Sequence, residues 1–169
     1  MKSQLSKQEW EVLLKKLSAG EIPDDEIGPA IVHLSKPLDP QRVAVAKETV
    51  LRYLGHQNSW ARHEAMWFIR WAGIREENAA LIKALTKDED SDNRGYAAMC
   101  IAHLMNGTAD STSVNALKTT VLNEKEDAAV RMNAYAALIE VATKQSGSDF
   151  YIEKKNLRDI DWKWVSKLS

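Results

Sequence analysis

Residues 81–101, LIKALTKDEDSDNRGYAAMCI, decide the fold. A helix end carrying Leu81 and Leu85 runs into a polar turn, and then an arginine, Arg94, is followed by small residues. The same arrangement stands on either side, in VLRYLGHQNSWARHEAMWFI (50–69) and LKTTVLNEKEDAAVRMNAYAAL (117–138). Arg62, Arg94 and Arg131 are each followed three positions later by an alanine: Ala65, Ala97 and Ala134. A poorer copy, IVHLSKPLDPQRVAVA (31–46), has Arg42 and Ala46. Small side chains let one helix approach its neighbour closely. The polar turn caps the second helix of each unit and satisfies its first N–H groups. One such unit cannot bury its apolar face alone, so successive units stack.

Working outward, nearly every signal is helical. Ser6 and Glu9 form a capping box ahead of Trp10, Leu13, Leu14 and Leu17, and Gly20 closes that helix. A less regular helix spans about 24–36, because Pro29 must start or kink it. Asp39-Pro40 is an N-cap and first-turn pair opening a helix to Gly55. Asn58 or Ser59 caps the next, which ends at Gly73. Further helices are expected at roughly 75–86, 92–105, 112–122 and 128–144. Ser146-Gly147-Ser148 reads as a flexible joint before a last short element, 149–169, anchored by Ile160, Trp162 and Val165.

These junctions resemble the HEAT-repeat family, in its short bacterial-type form, with the best agreement over 50–140. The resemblance implies an all-α, armadillo-like superhelix, a solenoid of about four antiparallel helix pairs. It implies one domain over 1–169, with repeats at 22–144, an N-terminal capping helix at 5–19 and a C-terminal capping segment at 149–169. In that family the arginine pairs with an acidic turn residue of an adjacent repeat. Arg42, Arg62, Arg94 and Arg131 therefore read as structural, with Asp90, Asp92 and Asp127 as the expected partners.

Composition narrows the function. The 23 basic and 24 acidic residues leave a net charge of −1. That argues against a general nucleic-acid binder, whose affinity comes from neutralising phosphates. No apolar run approaches the ~20 residues of a membrane span. The single cysteine, Cys100, reads as a buried small hydrophobe, and a cytoplasmic setting is expected. Nucleotide-binding, nucleophile-elbow and paired-cysteine zinc motifs are missing, so no cofactor and no metal is expected.

The helix 60–72 stands apart. At 100° per residue, Ala61, Ala65, Phe68, Ile69 and Ala72 make a core face. Trp60, Glu64, Trp67 and Trp71 make a second stripe, centred roughly 100° away. The stripe is either a second packing face, with Glu64 accepting an indole N–H, or an exposed aromatic patch for a partner, with His63 and Arg70 beside it. His63-Glu64 resembles one element of the di-iron site in deoxyhypusine hydroxylase. The equivalent positions in the other units, Val43-Ala44, Gly95-Tyr96 and Met132-Asn133, cannot bind iron. The same stripe is similar to the surface of HEAT-like alkylpurine DNA glycosylases, which place tryptophans and a carboxylate near an alkylated base. The chain is shorter than those enzymes, and its neutral balance speaks against them. The sequence therefore favours a scaffold, adaptor or inhibitor that binds another protein. A glycosylase-like DNA-repair role and a homo-oligomeric module are the alternatives.

Overall fold

The computed structural model describes residues 5–35, 39–143, 145 and 156–168. Among them are nine α-helices, three short 3-10 turns and no strand. The chain divides into two compact units, Met1–Gly73 and Ile74–Ser169.

The first unit holds α1 (Lys7–Ala19), α2 (Ile27–Leu34), α3 (Pro40–Leu51) and α4 (Ser59–Ala72). Its boundaries follow from local chemistry. Ser6 and Glu9 exchange the two capping-box bonds at the start of α1, and Gly20 ends it at φ 71°. Pro29 is the third residue of α2, where its missing N–H costs nothing, so the helix begins at Ile27 rather than at 24. Asp39 caps α3 through the Gln41 N–H. The chain then tightens into a 3-10 turn over Arg52–Gly55. Asn58, not Ser59, is the cap of α4, and Gly73 closes that helix in the left-handed region at φ 66°. The helices pack in pairs, α1 on α2 and α3 on α4, and the pairs stack through α2 on α4 and α1 on α3. Ile31 and Leu34 of α2 are buried, as are Ala61, Ala65 and Phe68 of α4. Trp10 is also buried, and its indole N–H donates to the Leu34 carbonyl at 3.1 Å.

The second unit repeats the plan. A 3-10 turn, Arg75–Glu77, leads into α5 (Asn78–Lys87), followed by α6 (Ser91–Met105), α7 (Ser111–Leu122) and α8 (Ala128–Thr143). Again α5 packs on α6 and α7 on α8, and α6 and α8 form the largest contact. Gly95 marks how close α6 and α8 come: a Cβ there would sit 2.7 Å from Asn133 Nδ2. Cys100 is fully buried among the alanines of α6. A last helix, α9 (Trp162–Lys167), buries Val165. It is tied to the unit by the Asp161 N–H donating to the Tyr135 hydroxyl and by Lys118 Nζ donating to the Leu168 carbonyl. The expected joint at 146–148 and the stretch 149–155 lie outside the described residues. No helix among the described residues is long and apolar enough to cross a membrane.

Candidate functional site

The repeat arginines come first, because their geometry separates packing from function. Arg62 Nη1 donates to the His56 and Gln57 carbonyls, at 2.8 and 3.0 Å. Arg94 Nη1 makes the same two bonds one unit on, to the Asp88 and Glu89 carbonyls at 2.8 and 3.3 Å. Each guanidinium thereby closes the turn that precedes its own helix. Arg94 goes further, gripping Glu126 with two bonds, Nε to Oε2 at 3.0 Å and Nη2 to Oε1 at 2.7 Å. Burial pushes the Glu126 carboxyl up. Hydrogen bonds from Arg94 and the Asp127 N–H, with the charge of Arg94, more than offset this, so Glu126 titrates below the usual glutamate range. Arg131 breaks the pattern: its Nε donates to the Val121 carbonyl, and its guanidinium lies 5.4 Å from the Trp162 ring. Arg42 lies over Trp10 at 5.5 Å, with Asp39 at 3.9 Å.

The acid that pairs with Arg94 is therefore Glu126, not Asp90, Asp92 or Asp127. The aspartates are occupied nearer home. Asp90 accepts from the N–H groups of Asp92 and Asn93 at the start of α6. Asp127 accepts from the Ala129 N–H at the start of α8. A short carboxylate folds back onto its own helix end, whereas glutamate is one methylene longer and reaches across to the neighbouring turn. The signal was present in the sequence: Gln57, Glu89 and Glu126 each stand five residues before a repeat arginine.

The tryptophan stripe of α4 has a definite geometry. Trp60 is 48% exposed and Trp71 44%, while Glu64 and Trp67 are half-buried, so the stripe is a surface ridge. Trp60 lies flat over Gly28 of α2, where a Cβ would meet the indole at 2.8 Å. Its N–H donates to Glu64 Oε1 at 3.0 Å, which orients the carboxylate along the ridge. Trp67 and Trp71 touch, with ring centroids 5.3 Å apart and planes tilted by 48°. The Arg70 guanidinium lies 5.3 Å from the Trp71 ring, and its buried Nε has no hydrogen-bond partner among the described residues. His63 stands half-buried beside Glu64. The structure thus brings Trp60, Glu64, Trp67, Arg70 and Trp71 into one continuous strip, with both charge signs among the indoles.

Sequence reasoning missed two features of this unit. Gly28 is the platform for Trp60, and a glycine in the first turn of a helix carries no distinctive signal. The other is a groove of about 680 Å³ between α1 and α3, floored by Trp10, Leu14 and Val45 and edged by Lys15 and Arg42. Among the described residues no three His, Cys, Asp or Glu side chains converge as a metal site would require.

Short helix pairs joined by capped turns, two of them closed by Arg62 and Arg94, define a helical-repeat protein. Residues 78–149 match the family model for HEAT repeats, so this stretch of the chain is similar to that family. Comparison with curated proteins gives no match. Helical repeats of this kind commonly serve as protein-interaction scaffolds.

Proposed function

We propose that the protein is a non-enzymatic scaffold or adaptor that holds a protein partner on the ridge of α4, through Trp60, His63, Glu64, Trp67, Arg70 and Trp71. The carrying observation is that Trp60 and Trp71 are nearly half exposed. Soluble surfaces rarely present several large aromatic side chains together unless something binds them. Tryptophan and arginine are also the side chains on which binding energy concentrates at protein interfaces. Other distinctive residues have structural employment: Arg62 and Arg94 close turns, and Asp90 and Asp127 cap helices.

The test is affinity purification from the native cell with the wild type and with the double variant Trp60→Ala/Trp71→Ala, quantified by mass spectrometry. Truncating two half-exposed side chains should leave helicity and thermal midpoint nearly unchanged. At least one protein should be retained by the wild type and fall by about tenfold or more with the variant, the size of a hot-spot loss. Recovery of the same proteins in the same amounts by both would overturn the proposal.

A further inference from the structure

The four ridge positions, 60, 64, 67 and 71, are spaced four, three and four residues apart. That is the spacing of the seam positions in a coiled coil, so the shape that complements the ridge is another helix laid along α4. Glu64 occupies one of the four positions. Its Oε1 takes the Trp60 indole N–H, and among the described residues no cation pairs with it. A half-buried carboxylate attracts a cation through charge-assisted hydrogen bonds, and an indole ring attracts one through its quadrupole. The same helix already contains the combination at its far end, where the Arg70 guanidinium rests over Trp71.

A second copy of this chain does not place a cation at the seam position opposite Glu64. Two α4 helices paired in parallel would set Glu64 against Glu64, which is repulsive. Paired antiparallel about the middle of the ridge, they would set Glu64 against Trp67. We infer that the occupant is an amphipathic helix of a different protein, which presents one lysine or arginine to Glu64 and apolar side chains to Trp60, Trp67 and Trp71. The inference rests on the reading of α4 as the partner-binding surface and adds the chemistry of what binds there.

The probe is a displayed library of helical peptides, built on one heptad scaffold, randomised at its seam positions and selected on the full chain. Enriched peptides should carry Lys or Arg at one seam position, favoured about tenfold over neutral residues, as a desolvated cation contact allows. Glu64→Gln should abolish that preference, and Glu64→Arg should replace it with Asp or Glu. Circular dichroism checks that each variant remains folded. Enrichment of purely apolar seams, or a basic preference that survives Glu64→Gln, overturns the inference. If those peptides still fail on Trp60→Ala/Trp71→Ala, the ridge remains the binding surface. Peptides that bind the double variant as well as the wild type overturn the ridge reading itself, and a selection that enriches nothing overturns both. A concentration-dependent dimer in light scattering that Trp71→Ala abolishes assigns the ridge to a second copy and also overturns the inference.

Discussion

The two units use one plan and finish it differently. In both, two helix pairs stack chiefly through their second helices, and an arginine closes the turn before the last helix of a pair. In the second unit those helices are lined with glycine and alanine, so α6 and α8 approach until Gly95 has no room for a side chain. Much of α8 is buried, including Val130, Ala134, Leu138 and Val141. In the first unit α4 carries three tryptophans and keeps a face open. The turns differ likewise. Arg94 and Glu126 join neighbouring turns by a largely buried bidentate pair. The corresponding clasp of the first unit is an exposed polar one, in which the Asp24 carboxylate accepts from Gln57 Nε2 and the Asp24 backbone carbonyl from Asn58 Nδ2. Small residues and a buried ion pair complete the packing of one unit, while bulky residues and a solvated clasp leave the other a surface to offer.

That contrast can be broken at several places. The largest effect is expected in the packed unit. Leu138→Ala removes a fully buried side chain and should cost about 3 kcal/mol in urea unfolding, whereas Trp71→Ala in the open unit should cost under about 1 kcal/mol. Next is Glu126→Gln, which breaks the bidentate pair and should cost about 2 kcal/mol at pH 7. Because Glu126 titrates below its unfolded value of about 4.3, its contribution is complete above that value and is lost as pH falls through the lower, folded one. Unfolding curves of wild type and variant should therefore differ most at pH 7 and draw together as the pH falls below about 4.3. Asp24→Ala tests the clasp of the first unit. It is solvated, so about 0.5 kcal/mol is expected, and a cost matching that of Glu126→Gln would erase the distinction between the units. The smallest effect on stability belongs to Gly28→Ala. Gaining a better helix former is worth up to ~1 kcal/mol, which offsets the displaced indole. The clear readout is a shift in tryptophan emission as Trp60 leaves Glu64.

The fold was legible because its determinants are local and repeated. The Ser6–Glu9 box, the Asp39-Pro40 start and the glycines at 20 and 73 each act within one helical turn, and the structure uses all of them. The boundary at 24 was misplaced because Pro29 suits any position in a first turn. The partner of Arg94 was harder, because two needs competed for the acids of one turn. Capping takes the aspartates, and only the comparison of three junctions isolates the residue five before each arginine. On α4 the helical wheel was enough to separate the ridge from the core face. It could not give the exposure of Trp60, because the ring rests on α2, whose approach is set by Gly28, a residue without a side chain to read.

The seat of Trp60 on Gly28 has an evolutionary corollary. The two positions form one small-and-large unit shared between helices that are distant in sequence, so neither can drift alone. A relative that acquires a side chain at position 28 should have surrendered the indole at position 60, and with it the N–H that aims Glu64. Descendants of this chain should therefore keep both residues or lose both.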